Sequence, residues 1–249
     1  MKKIILSLCL IAFTFNAVGQ QIWMSAYKVD PSNTKQAREA IAEKTKTFNT
    51  LESERLIYTY EIVAGERANY LVRVGFGESL AQLDSWDNAG YDYWIENVSP
   101  LISNVGGTEY MQYATNASFD DAEAGSNRIS KVLHYNVSRN GGPDFWQFRR
   151  RVAKAAEKVG NVSLNVWAGS LGGPNGHVIV GYGSKDMSGI DNETETWPKV
   201  IEVYKELYGE ESFETDQKAF NESLNAWGNY SEIWRWLPEL SSPPVPIQE

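Results

Sequence analysis

The sequence predicts an α+β fold in which one β-α-β-β-α-β unit is made twice in tandem, the copies packing sheet to sheet as a barrel. Three pairs of segments recur in the same order and carry the prediction. Tyr27-Lys28-Val29 returns as Tyr135-Asn136-Val137. Val74-Gly75-Phe76-Gly77 returns as Val180-Gly181-Tyr182-Gly183. Thr108-Glu109-Tyr110-Met111-Gln112-Tyr113 returns as Ser231-Glu232-Ile233-Trp234-Arg235-Trp236.

In the first copy, residues 22–29 alternate apolar and polar and read as a strand. Asp30-Pro31-Ser32-Asn33 is a turn with helix-start residues, and Ala37, Ile41, Thr45 and Phe48 then fall on one helical stripe. Residues 56–63 and 69–76 are β-rich and joined by Ala64-Gly65-Glu66-Arg67, so they read as a hairpin. Residues 80–102 read as mostly helical, ending near Pro100, and 108–114 as the closing strand.

The second copy follows the same path. Residues 131–138 are a strand. Gly141-Gly142-Pro143-Asp144 opens a helix with Phe145, Phe148, Val152, Ala156 and Val159 on one face. Residues 163–170 and 177–183 are strands around the loop Leu171-Gly172-Gly173-Pro174-Asn175-Gly176. Helices are expected around 197–208 and 215–227, and a last strand at 231–237. The spacing between copies lengthens before that last strand, which places one extra, acidic helix in the second copy. The expected organisation is therefore a signal peptide at 1–19, a first unit at 20–114, a linker at 115–129, a second unit at 130–238 and a flexible tail at 239–249.

The leader expectation rests on Lys2 and Lys3, an apolar run from Ile4 to Phe15 and the small residues Ala17 and Gly19. It points to bacterial-type export, and so to a periplasmic or secreted protein. Cys9, the only cysteine, lies inside that run, so the exported chain has neither disulfides nor cysteine ligands or nucleophiles. The formal charge of −9 grows more negative once Lys2 and Lys3 are removed, which disfavours nucleic acid and anionic membrane as partners. No segment after the leader is expected to insert in a membrane.

Candidate chemistry concentrates in the second copy. Leu133, Tyr135 and Val137, with Val178, Val180 and Tyr182, are assigned to the helix layer, as are Ser25, Tyr27 and Val29 with Val72, Val74 and Phe76 in the first copy. His134 and His177, the only two histidines, then share the opposite face of neighbouring strands, a pair that could hold a metal, haem or an acidic ligand, or run acid–base chemistry. The first copy has Ala26 and Leu71 at the equivalent positions. Asn165 and Trp167 alternate on one strand face and Arg235 lies on the last strand. With Trp146 and Arg149, they form an aromatic and amide lining suited to a flat organic ligand. Trp234 and Trp236 read as sheet packing, and Arg149-Arg150-Arg151 as the exposed edge of a helix. No motif calls for a metal or a cofactor: the Gly-rich loop lacks a P-loop lysine, and Asp191–Glu195 lacks calcium-loop spacing.

The β-α-β-β-α-β order is the ferredoxin-like motif. As two such units, residues 22–237 resemble the dimeric α/β-barrel superfamily. That group includes antibiotic-biosynthesis-type monooxygenases, haem-degrading oxygenases, NIPSNAP-like proteins and stress-responsive barrel proteins. The resemblance implies two sheets facing each other, both supplied here by one polypeptide, and it transfers no catalytic residue. The leading expectation is an exported barrel that binds a small hydrophobic or aromatic molecule, as a monomer or homodimer, with candidate contacts His134, His177, Asn165, Trp167 and Arg235. The alternatives are a cofactor-free monooxygenase-like or haem-handling enzyme and a non-catalytic interaction module. A specific site is expected within residues 130–237, the first copy being mainly scaffold.

Overall fold

The computed structural model describes residues 21–244 except 54, 85–86, 122–126 and 192, so the expected leader lies outside the described residues. The strands are β1 (Gln21–Val29), β2 (Leu56–Ala64), β3 (Tyr70–Gly77), β4 (Ile102–Tyr113), β5 (Phe119–Asp120), β6 (Ile129–Asn136), β7 (Ser163–Leu171), β8 (His177–Ser184) and β9 (Tyr230–Trp236). The helices are α1 (Thr34–Phe48), α2 (Asn88–Tyr93), α3 (Gly142–Val159), α4 (Met187–Asp191), α5 (Glu193–Tyr208) and α6 (Ser212–Glu222). No helix among the described residues is long and apolar enough to cross a membrane.

The expected architecture of two units packed sheet against sheet is corrected here. The strands form one closed antiparallel barrel in the order β4-β1-β3-β2-β9-β6-β8-β7, with β7 pairing back to β4. Two seams join the halves. At one, β2 pairs with β9 through Tyr60–Trp236, Glu61–Arg235 and Ile62–Trp234. At the other, β4 pairs with β7 through Tyr113–Trp167, Gln112–Ala168 and Met111–Gly169. The physical reason is that stacked sheets would leave four edges of unpaired N–H and C=O groups, and closure pairs them.

Alternation along each strand separates two apolar regions. Inside the barrel lie Ile22, Met24, Val72, Val74, Met111, Val132, Ile179 and Trp234. Outside, Leu133, Tyr135, Val137, Val178, Val180 and Tyr182 pack under Phe145, Phe148 and Val152 of α3, Tyr204 of α5 and Phe213 and Phe220 of α6. One face assignment is reversed. Val72, Val74 and Phe76 belong to the interior cluster, so Leu71, Arg73 and Gly75 face the first helix layer. The Val-Gly-Phe-Gly match aligns the wrong partners, and a one-residue slip moves every side chain to the other face.

The two helix layers differ. In the second half, α3, α5 and α6 fill their side of the sheet; Phe145, Phe148 and Phe220 are buried there, each worth about 1.5–3 kcal/mol relative to exposure. Pro143 starts α3, and Gly160 in the left-handed region (φ 71°) ends it. In the first half, the stretch expected to be one helix is broken. Asp87 caps the short α2 by accepting from the Gly90 N–H, a π-helical turn runs over Trp94–Val98, and Ser99–Leu101, holding Pro100, is a 3-10 turn. This layer buries Ile41, Leu71, Val98, Leu237 and Leu240 but covers the sheet incompletely. The stretch expected to be a tail starts by docking, with Leu240 buried and Ser242 accepting from the Ile57 N–H.

Candidate functional site

The barrel encloses a lumen of about 730 Å³. Its walls are Ile22, Met24, Tyr60, Val74, Phe76, Val132, Trp167, Ile179, Trp234 and Trp236, and its rim carries Asp120, Asn127, Ser163 and Asn165. Trp167 meets the edge of Phe76 (centroids 6.0 Å apart) and leans on Tyr113 (4.6 Å). The Asn165 amide is oriented from two sides. Its Nδ2 donates to Asp120 (2.8 Å), and its Oδ1 accepts from the Tyr113 hydroxyl (3.1 Å). Gly181 and Gly183 of β8 also face this space; Gly181 leaves it open, while the Asn127 and Ser163 side chains fill the room at Gly183.

His134 and His177 point inward, one step along their strands from Val132 and Ile179. Their rings lie nearly parallel, with His134 Nδ1 3.0 Å from His177 Nε2. Two carboxylates flank them. His177 Nδ1 is 2.7 Å from Glu109 Oε1, and His134 Nε2 is 3.4 Å from Glu232 Oε2 without a well-aligned hydrogen bond. A carboxylate can only accept, so facing the Glu109 carboxylate His177 donates from Nδ1 and accepts the His134 Nδ1–H at Nε2. Burial holds the His134 pKa below its ordinary value, and the neighbouring His177 adds to this, although Glu232 opposes them. Tyr230 stacks on His134 at 4.2 Å. Arg67 donates from Nε and Nη2 to the two Glu232 oxygens (2.9 and 2.8 Å), and Trp234 donates to Glu232 from Nε1 (2.8 Å). Burial would raise the Glu232 pKa; the close approach of His134 and the bonds from Arg67 and Trp234 outweigh that and bring it to about 2. The four groups form a polar floor beneath the lumen: Val132, Ile179 and Trp234 line the space above, and neither histidine does.

Arg235 stands apart. It lies on the outer face of β9, half exposed, and its Nη2 donates to Glu61 (2.6 Å), which also holds Arg38 (2.9 Å). Trp146 and Arg149 belong to the outer layer around α3. Arg149 is not part of an exposed helix edge: it is 3% exposed and lies over the rings of Tyr135, Phe148 and Phe220. Residue-by-residue reading missed Glu109 and Glu232. The signal was present, because a glutamate is the identity kept between Thr108-Glu109 and Ser231-Glu232. Arg67 lies at the end of the first hairpin turn, where sequence gives no sign of a partner on β9.

No protein-family model matches the chain, and no curated protein matches it in sequence. Solved structures do match in fold. A candidate monooxygenase from Fusobacterium nucleatum subsp. nucleatum aligns at TM-score 0.59 with 9% identity, over 88% of this chain and 93% of its own. Chlorite dismutase from Candidatus Nitrospira defluvii aligns at TM-score 0.54 with 10% identity, over 88% and 92%. An anthrone oxidase-like protein aligns at TM-score 0.54 with 11% identity, over 88% and 91%. At such identity the likeness shows the fold alone: this chain shares its barrel with monooxygenase-like, chlorite dismutase and anthrone oxidase-like proteins.

Proposed function

We propose that the chain is an oxygenase-like barrel that binds a small, flat, hydrophobic molecule in its lumen. The observation that carries this reading is the lumen itself, a cavity of about 730 Å³ with apolar and aromatic walls and a polar rim. Trp167 supplies a ring for stacking. Asn165, its amide oriented by Asp120 and Tyr113, supplies a positioned polar contact for one end of the ligand. The name carried by one structural neighbour, an anthrone oxidase-like protein, agrees with an aromatic occupant. In this reading His134 and His177 do not touch the ligand; with Glu109 and Glu232 they hold the floor in shape.

The residues present do not fit haem. Both His177 ring nitrogens are engaged, His134 is 1% exposed, and neither histidine lines the lumen. The outer face of the second half is packed with Phe145, Phe148, Tyr204, Phe213 and Phe220.

Calorimetric titration with the neutral probe 2-naphthol tests the reading. Saturable binding is expected, lost in Val74→Trp, where a larger ring occupies the lumen, and weakened about tenfold in Trp167→Ala. Binding that survives Val74→Trp unchanged would place the probe elsewhere and refute the lumen site.

A further inference from the structure

A second cavity, of about 530 Å³, lies on the opposite side of β1 and β3 from the lumen, under the helical layer of the first half. Trp23, Tyr27, Phe48 and Trp94 supply aromatic walls, and Arg73 and Lys44 also line it. Gly75 makes room at the base. The Trp23 ring lies so close over it that a Cβ there would sit 2.0 Å from the ring, so only glycine lets the indole fold down onto the strand.

Among the described residues, the charges around this cleft do not balance. Arg73 is 6% exposed. Its Nη2 donates to Thr45 Oγ1 (2.9 Å), its guanidinium lies 4.7 Å from the Trp94 ring centre, and its Nε is buried without a hydrogen-bond partner. Lys44 is 8% exposed and donates to Asn49 Oδ1 (2.6 Å). Neither cation has a carboxylate within ion-pair distance among the described residues. Arg55 also lines the cleft, its Nη2 donating to the Gln82 carbonyl (2.8 Å). Among the described residues, the one acid in the lining is Asp87, exposed, its carboxylate accepting from the Gly90 N–H. Inside the barrel Arg67 meets Glu232 through two bonds; the other buried arginine, Arg149, has its charge against the rings of Tyr135, Phe148 and Phe220 and donates to the Tyr182 hydroxyl. Burying a cation without a counter-charge is costly. That cost is relieved if the counter-charge arrives with a ligand.

We propose that the cleft between the outer face of β1–β3 and α1–α2 binds a planar aromatic carboxylate, its carboxylate on Arg73 and Lys44 and its ring among Trp23, Tyr27 and Trp94. A guanidinium fork matches a carboxylate in geometry as well as charge. The aromatic walls exclude a bare inorganic anion as the best occupant, since it would leave them against water. This site does not depend on the lumen reading, because its residues lie on the opposite face of the same strands.

Calorimetric titration of the chain with 2-naphthoate, the isosteric neutral 2-naphthamide and inorganic phosphate tests the assignment. The expected result is saturable 2-naphthoate binding, with the amide about tenfold weaker or worse and no competition from phosphate. Arg73→Gln should weaken 2-naphthoate by at least about tenfold and Lys44→Met by several fold, while Val74→Trp in the lumen leaves it unchanged. Absence of 2-naphthoate binding, equal affinity for acid and amide, or unchanged 2-naphthoate affinity in both cleft variants would overturn the proposal. Effective competition by phosphate would overturn its aromatic part. If Arg73→Gln fails to fold by circular dichroism, Lys44→Met and the acid-against-amide comparison in the unaltered chain decide the question. The 2-naphthol and 2-naphthoate titrations can fail separately, so each cavity is judged by its own probe.

Discussion

A buried charge is tolerated only where something pays for its lost water, and two residues of this chain show opposite answers. Glu232 is 1% exposed and fully partnered, by Arg67, Trp234 and the nearby His134. Removing one partner strands the rest: Arg67→Met should cost about 3–5 kcal/mol in urea unfolding at pH 7. The loss should shrink at pH 4, because without Arg67 the carboxyl holds a proton more readily and escapes the penalty as a neutral acid. An equal loss at both pH values would mean that Arg67 acts through packing alone. Lys44 has no such partner. Burial, with help from Arg73 and Arg55 and against Asp87, brings its pKa from 10.5 to about 8. Between pH 8 and 10.5 the unfolded chain therefore holds a proton at this site that the folded chain has released. Stability from this residue rises with pH across that window, by at most about 3 kcal/mol. Lys44→Met should be more stable than the parent at pH 7.5, and the difference should narrow by pH 10. A difference that does not change with pH would show that Lys44 is not held in a desolvated state.

At the scale of elements, periodicity located nearly every strand and helix, and failed where a neighbour rather than the segment itself decides the outcome. The stripe Ala37, Ile41 and Thr45 in α1 and the stripe Phe145, Phe148 and Val152 in α3 are buried as their spacing predicts, since a helix face reports its own burial. The turn chemistry of Asp30-Pro31 was equally local: Asp30 accepts from the Ser32 N–H and starts the helical segment. The broken stretch from Leu80 to Leu101 was not legible as breaks, because its residues are helix-compatible one by one and the π-turn at Trp94–Val98 serves the packing of Val98 and Trp94 on the sheet. β3 gives the sharpest case. In Tyr70–Gly77 the apolar residues run through both faces, so sequence alone left the parity open, and the match to Val180–Gly183 settled it the wrong way. A lone cation inside an apolar strand was the usable clue. Arg73 between Val72 and Val74 must face something other than the lumen wall, and its correct placement opens the first half as a candidate site. The histidine pair was legible because both residues are rare and adjacent strands were foreseen; their glutamate partners stand on β4 and β9, and glutamates are too common in this chain for residue type alone to single them out.

At the scale of the whole molecule, closure changes what the halves are to each other. Two stacked units could lose one sheet and keep the other. Here the hydrogen-bond ladder runs unbroken from β4 round to β7 and back, and the residues beneath the lumen come from both halves: Arg67 and Glu109 from one, His134, His177 and Glu232 from the other. Opening either seam exposes the edges of both halves; the β2–β9 seam also holds Arg67 on Glu232, and the β4–β7 seam holds Glu109 on His177. The barrel should therefore unfold as one cooperative unit. Native-state hydrogen exchange is expected to give one common free energy for the most protected amides of β1–β3 and of β6–β8, falling together under low urea. Ala168→Pro provides the sharper form of the test. Ala168 lies in β7 at the seam, between β8 and β4, where proline removes a ladder donor and fits poorly. It should lower protection in β1–β3 as well as in β7 and β8. A variant that loses protection only in the second half would show that the halves fold independently and that the seam merely docks them.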